Sequence, residues 1–354
     1  MLKKKTIQSV LGNILIEKLG ITLSHEHLII NTCNWWQEPP DSRWDKYIDG
    51  DIDMEGLDLI HRGPTFSRSN LVLEDKEQAI KELSYFKSVG GVSLVDLTPI
   101  GVGRDPIILK KISEATGINI ICGTAYYVQA SHPNEVAMKS VEELSGKMIS
   151  EIETGIQGTG VRAAVLGENG VSPAGIQPDE EKVLRAAAKA HKETMAPIAV
   201  HTVPPTPEKI PTKVLDLLEG LNVDPRHVAL CHLDWWNDTN YLAELAERGA
   251  FVSLDCFGSE FPWCMYSPPG GNKYKTIVPT DYERALIVKE LLKLGLGDRI
   301  LMSHDIGTKR MIKRYGGWGY DHILRNVRKI FEVVGIDEKE FMKIMVDNPR
   351  AFFE

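Results

Sequence analysis

The sequence predicts an α/β fold, a single (β/α)8 TIM barrel with an N-terminal β-hairpin and long loops after strands 1 and 7. Three observations predict it. Short β-rich apolar runs alternate with longer amphipathic stretches, the pattern of repeated βα units and a parallel sheet. The runs number eight, enough to close a barrel, although the count alone leaves an open doubly wound sheet as the alternative. No Pro-, Gly- and Ser-rich linker divides the 354 residues. The expected organisation is therefore one unit: 1–19 the hairpin, 20–336 the barrel and 337–354 a C-terminal helix.

The eight strand candidates are Gly20 to Ser24, Val92 to Leu97, Ile118 to Cys122, Val161 to Gly167, Pro197 to Val200, His227 to Cys231, Phe251 to Asp255, and Arg299 to Ser303. Apolar residues at helical spacing fill the intervals. They mark Glu74 to Val89, Asp105 to Thr116, Ser140 to Thr154, Asp179 to Thr194, Lys209 to Leu218, Asn240 to Arg248 and Tyr282 to Leu294. Tyr320 to Val334 follows the last strand, and Asp337 to Met345 is a final helix. Ahead of the barrel, Leu11-Gly12-Asn13 between apolar runs marks a small hairpin.

Two connections are long: Asn31 to Asn70, with a short helix expected near Leu57, and Gly258 to Thr280. Loops of this length in a compact protein commonly serve function. Both leave the C-terminal ends of their strands, where barrel active sites sit.

Composition narrows the function. The net charge of −8 and the absence of a long basic run argue against nucleic-acid binding. Met1-Leu2-Lys3-Lys4-Lys5 is basic, but no signal-type apolar segment follows and no run is long enough to span a membrane. The five cysteines form no Cys-x-x-Cys pair, which fits a reducing, cytoplasmic setting better than a disulfide framework. Cys122 and Cys231 lie in apolar runs as core residues, whereas Cys264 lies in a loop.

The chemistry gathers at strand ends. His25 and His27 flank Glu26 directly after the first strand, and a side-chain period of two aims both imidazoles the same way and Glu26 the other. Glu168, His201, His232 and Asp305 end four other strands. Singly, each is an ordinary polar residue. Together they place four histidines and two carboxylates on one rim, a donor set suited to zinc and also to manganese, cobalt or iron. No Gly-x-Ser-x-Gly elbow, P-loop or dinucleotide fingerprint competes with this reading.

At these residues the chain resembles the phosphotriesterase family of the amidohydrolase superfamily, closest to phosphotriesterase-related proteins. Leu23-Ser24-His25-Glu26-His27, Gly155-Ile156-Gln157-Gly158-Thr159-Gly160, His201, His232, Ser303-His304-Asp305 and Gly316-Gly317-Trp318-Gly319-Tyr320 carry the likeness. The resemblance implies two divalent metal ions, most readily zinc. His25, His27 and Asp305 would hold the more buried ion, His201 and His232 the more exposed one, and a strand-four carboxylate would bridge them together with a hydroxide. Many members place a carbamylated lysine at that bridge. Here Glu168 stands there, as in the glutamate-using branch, so carbon dioxide should not be needed for assembly.

The resemblance implies a small-molecule hydrolase, with a homodimer as the family expectation. Asp305 would move the proton, and Tyr127 rather than Tyr126 would donate to the substrate. Asp255 could orient a histidine, while His304 should point away. Lys309, Arg310, Lys313, Arg314, Lys273 and Lys275 lean toward an anionic substrate. Trp35, Trp36, Trp235, Trp236 and Trp263 could wall the pocket, with Trp236 taken as a substrate contact alongside Lys309 and Arg310. The expected reaction is attack at a carboxyl carbon in an ester, lactone or amide. The alternatives are a dedicated organophosphate triesterase and a non-catalytic metal-binding barrel.

Overall fold

In the computed structural model, which describes residues 5–202, 208–260 and 278–354, the eight apolar runs become eight parallel strands. The chain opens with β1 (Thr6–Ser9) and β2 (Gly12–Leu15), an antiparallel hairpin. Its loop is Val10-Leu11, earlier than the glycine signal suggests, because the Ser9 hydroxyl accepts from Leu11 N–H and donates to the Gly12 carbonyl. The first barrel strand is β3 (Thr22–Glu26). A small antiparallel pair, β4 (Ile30–Asn31) with β5 (Val72–Leu73), ties the two ends of the first long loop. The remaining barrel strands are β6 (Ser93–Asp96), β7 (Asn119–Cys122), β8 (Leu166–Gly170), β9 (Ile198–His201), β10 (Val228–Leu230), β11 (Phe251–Leu254) and β12 (Ile300–Met302).

The ladders run β3-β6-β7 and β8-β9-β10-β11-β12. Two seams close the ring. At one, Gly123 bridges Val165 in parallel. At the other, the Ser24 hydroxyl donates to the Met302 carbonyl at 3.0 Å. The fold is thus the closed (β/α)8 barrel and not the open sheet.

Helix α1 (Met54–Arg62) lies in the first long loop, where a helix was expected near Leu57. The outer layer is α2 (Lys76–Ser88), α3 (Pro106–Thr116), α5 (Val141–Glu153), α6 (Pro178–Thr194), α7 (Ile210–Gly220), α8 (Thr239–Glu247), α9 (Asp281–Lys293) and α10 (Arg328–Val334), with a short α4 (Asn134–Met138) before α5. Helices α11 (Glu338–Met342) and α12 (Asn348–Phe352), joined by a π-helical turn, end the chain. The starts obey local chemistry: Asp75, Asp105, Ser140, Asp238 and Thr280 each accept a backbone N–H of the first turn. No helix among the described residues is long and apolar enough to cross a membrane.

Strand alternation separates two cores. Leu94, Ile120, Ile198, Val228, Val252 and Ile300 pack outward against the helices. Val95, Ile121, Val165, Ala199, Ala229 and Leu301 fill the barrel interior, where Ile7, Ile16, Leu19 and Phe352 join them. Phe352 meets Phe251, the first residue of β11, edge to face at 5.5 Å. The hairpin and the last helix therefore plug the N-terminal mouth, leaving the C-terminal mouth for chemistry. Phe352→Ala is expected to destabilise the protein by about 3–5 kcal/mol, read by denaturant unfolding. An unchanged midpoint would mean that this mouth is not sealed by the ring.

Cys122 and Cys231 are buried, and burial pushes both thiols up to about 12, so they are inert core residues. Cys264 lies outside the described residues, as do Trp263, Lys273 and Lys275.

Candidate metal centre and cleft

The ends of five strands bring the six residues together. His25 comes from β3, His27 follows it, Glu168 lies in β8, His201 ends β9, and His232 and Asp305 follow β10 and β12. Glu168 Oε1 lies 3.0 Å from His232 Nε2, 3.1 Å from His201 Nδ1 and 3.6 Å from His25 Nε2. Asp305 Oδ1 lies 3.1 Å from His27 Nε2 and 3.7 Å from His25 Nε2. His201 Nδ1 and His232 Nε2 are 2.9 Å apart.

This spacing fits a divalent cation. Ligand atoms about 2.1 Å from a tetrahedral ion sit about 3.4 Å from each other, the range found here. His25 Nε2 is buried with no hydrogen-bond partner among the described residues, yet it faces two carboxylates. Such an atom is costly unless something satisfies it. The groupings His25, His27, Asp305 and His25, Glu168, His232 each bring their donor atoms within 4.8 Å of one another.

The backbone is shaped for this arrangement. The ladder between β8 and β9 shifts register between Leu166 and Asn169, the step that carries Glu168. His232 and Asp305 both have left-handed φ, +62° and +52°. Non-glycine residues rarely adopt that conformation, and it clusters at functional sites. Gly170 allows β8 to lie against the loop that follows β7, since a Cβ there would run into the backbone of Tyr127 and Val128.

Buried partners orient the imidazoles. Asp255 reaches His25 Nδ1 with one oxygen and His232 Nδ1 with the other, each at 2.9 Å. Thr98 Oγ1 meets His27 Nδ1 at 2.9 Å. These contacts leave His25 Nε2, His27 Nε2 and His232 Nε2 facing the centre. Burial alone would lower His25, but the Glu168 and Asp255 carboxylates hold its pKa well above the usual imidazole value. Burial would also lower His232, but Asp255 and Asp305 raise it. Burial would raise Glu168, and His25 and His201 hold it well below the usual carboxylate range.

The other expectations separate cleanly. Tyr127 lines the cleft, its hydroxyl 3.3 Å from His201 Nδ1 and accepting from Trp35 Nε1. Burial first, then Glu168, pushes that phenol well up, so it stays a donor. Tyr126 instead donates to Glu135. His304 has both nitrogens engaged: Nδ1 meets Glu26 and Nε2 accepts from Ile323 N–H.

Arg310 is fully buried and is the only lysine or arginine among the described residues lining the cleft. Burial lowers its pKa to about 9. Lys309 lies outside that lining, its ammonium on the Ser69 hydroxyl, because the short helical turn Lys309–Met311 sends adjacent side chains in different directions. Trp236 packs on Tyr241 at 4.6 Å, also outside the lining. Its neighbour Trp235 lines the cleft instead, because the turn Leu233–Trp236 points the two indoles apart. Trp35 lines the cleft too, whereas Trp36 is held by the Phe66 carbonyl and Arg68. Lys313 pairs with Asp321, and Arg314 with Asp75.

Sequence reasoning missed the buried roles of Thr98 and Glu26. Their partners lie 71 and up to 280 residues away, and no local pattern marks such pairs.

Residues 5–353 match the phosphotriesterase family. The N-acetyltaurine hydrolase of Xenopus tropicalis is 34% identical over 348 residues, covering 98% of this chain and 97% of its own. A resiniferatoxin-binding protein from Rhodobacter sphaeroides has a similar structure, with TM-score 0.92, 36% identity and coverage of 99% of this chain and 95% of its own. A lactonase from Listeria monocytogenes gives TM-score 0.78 and 26% identity, with 99% of each chain covered. The chain is a hydrolase that belongs to the phosphotriesterase family.

Proposed function

We propose that this enzyme hydrolyses an amide or ester bond at the carboxyl carbon of a small substrate that carries an acid group. His25, His27 and Asp305 would hold one divalent ion, His201 and His232 a second, and Glu168 would span both. The observation that carries the reading is the convergence of these six donors, with His25 Nε2 buried and without a hydrogen-bond partner among the described residues. A bound pair of divalent ions lowers the pKa of water toward neutrality and polarises the oxygen of the bond under attack.

The protein's own groups do the rest. Asp305 is the open member of the set: its side chain is 30% exposed, against 1% for His25 and 2% for Glu168. It can therefore reach the attacking water, take its proton and pass it to the departing amine or alcohol. The Tyr127 hydroxyl, kept protonated, donates to the acyl oxygen as negative charge builds there. Ile30, Trp35, Leu71, Val102 and Met311 give apolar walls that limit water around the scissile bond. Arg310 offers a planar fork to a carboxylate or sulfonate. The substrate named for the Xenopus relative is itself an amide with a sulfonate end, which supports both choices. The name of the Listeria relative favours a second reading, lactone opening at the same centre.

The test is a panel of N-acyl amino acids, N-acyl aminosulfonates, neutral lactones and paraoxon-like triesters with zinc-loaded protein. Anionic amides should give the highest kcat/KM. Arg310→Met should raise KM for them by about 10–100-fold while sparing neutral lactones, the worth of one hydrogen-bonded charge. A triester favoured by orders of magnitude would overturn the carboxyl-carbon assignment. Equal losses on neutral and anionic substrates would remove Arg310 from recognition.

A further inference from the structure

Glu26, the middle residue of His25-Glu26-His27, faces away from the proposed metals and has no part in the reading above. It is nevertheless fully buried. Its Oε1 accepts from the Ser303 hydroxyl at 2.7 Å, from His304 N–H at 2.9 Å and from His304 Nδ1–H at 2.7 Å. Its Oε2 accepts from Ile306 N–H at 3.0 Å. The proton on His304 is assigned by its other nitrogen, which accepts from Ile323 N–H.

The two amides that Glu26 holds flank Asp305. Asp305 itself has left-handed φ, and its N–H points at the His25 carbonyl at 3.4 Å. A residue in that conformation persists only when its neighbours are fixed. One carboxylate on β3 thus pins the backbone on both sides of Asp305 and sets its carboxylate 3.1 Å from His27 Nε2.

We infer that Glu26 is a positioning residue that acts through Asp305, coupling closure of the barrel between its first and eighth strands to the geometry of the metal centre. The inference rests on the reading of Asp305 as a metal ligand. Charge and shape both matter to it. Glu26→Gln keeps the shape but puts an NH2 group opposite either the Ile306 amide or the three donors at Oε1, so part of the clamp must open. Ser303→Ala removes one donor and leaves both amides held.

The experiment is a double-mutant cycle read on zinc affinity by chelator competition, using the full chain with folding checked by circular dichroism. Asp305→Asn and Glu26→Gln should each weaken zinc binding by about 10–100-fold, and the double variant should be no weaker than Asp305→Asn alone. Ser303→Ala should stay within about threefold of wild type, since Glu26 still holds the His304 and Ile306 amides on both sides of Asp305. Multiplying losses in the cycle, or unchanged affinity in folded Glu26→Gln, would overturn the inference while leaving the metal reading intact. Unchanged affinity in Asp305→Asn would overturn the metal reading of Asp305, and the inference with it. Should Glu26→Gln fail to fold, Glu26→Asp takes its place in the same cycle, because the shorter arm cannot reach both amides.

Discussion

Glu168→Ala is expected to lower kcat/KM by about 10³-fold, equivalent to about 4 kcal/mol of barrier, and to halve the metal content. The size follows from where the carboxylate sits. Three histidines face its Oε1 within 3.6 Å, and it is nearly inaccessible to water. Among the described residues no other carboxylate replaces it there: Asp255 is turned to the Nδ1 atoms on the far side of His25 and His232, and Asp305 approaches from the opposite wall. Without Glu168, two cations held close together would face each other with one shared negative group fewer, and the second should leave. A polarising ion is worth several kcal/mol at the transition state, so the loss should fall on kcat more than on KM. Metal analysis and steady-state kinetics on the same preparation check both parts. Full metal content with unchanged kcat would remove Glu168 from the bridge. Because a glutamate carries its own carboxylate, wild-type protein reconstituted in carbon-dioxide-free buffer should recover the same activity as protein given bicarbonate.

The sequence made the barrel legible because hydropathy and strand packing express the same constraint. Ile120, Val200, Leu230 and Val252 are apolar since they pack outward on helices, and apolar runs are visible one residue at a time. Legibility fails where chemistry replaces hydropathy. The first strand runs Thr22–Glu26 rather than Gly20 to Ser24, because His25 and Glu26 are buried within it and Glu26 pairs with Asp96 of β6. The fourth runs Leu166–Gly170 rather than Val161 to Gly167 for the same reason: Glu168 and Asn169 are strand residues that look like loop. Strands with polar ends at a reactive mouth are therefore read as ending too early by any apolarity rule.

The proposed ligand positions were legible because each sits within three residues of the end of an apolar run. The residues that hold them were less so. Asp255 could be guessed from its place at a strand end, but its grip on two histidines at once depends on the closed ring. The adjacent pairs Lys309 with Arg310, and Trp235 with Trp236, share composition and neighbourhood. Which member faces the cleft is fixed by a single helical turn, whose phase the sequence does not display.

Zinc affinity should rise steeply with pH, and thermal protection by zinc should rise with it. In the metal-free protein, His25 and His232 have pKa values well above 6.5 because Glu168, Asp255 and Asp305 surround them. At neutral pH both imidazoles carry protons that a metal must displace, since only the neutral ring coordinates. With two protons released, affinity should gain up to about 100-fold per pH unit until pH passes the folded pKa of the histidines. Metal-free stability moves the other way. Two raised histidines contribute stability that is complete below 6.5 and is lost as pH climbs through their folded values. Glu168 and Asp255 are depressed, so their contribution is present above their ordinary values of 4.5 and 3.8 and is lost as pH falls through the depressed ones. The metal-free protein should therefore be most stable between about pH 5 and 6.5, and the gain in Tm on adding zinc should widen above that window. Calorimetric titrations in buffers of different ionisation enthalpy would count the protons released, and thermal melts with and without zinc across pH 5 to 9 would trace the widening. A zinc effect on Tm that is flat across that range, with no proton release, would mean that the imidazoles are already neutral or that the ions bind elsewhere.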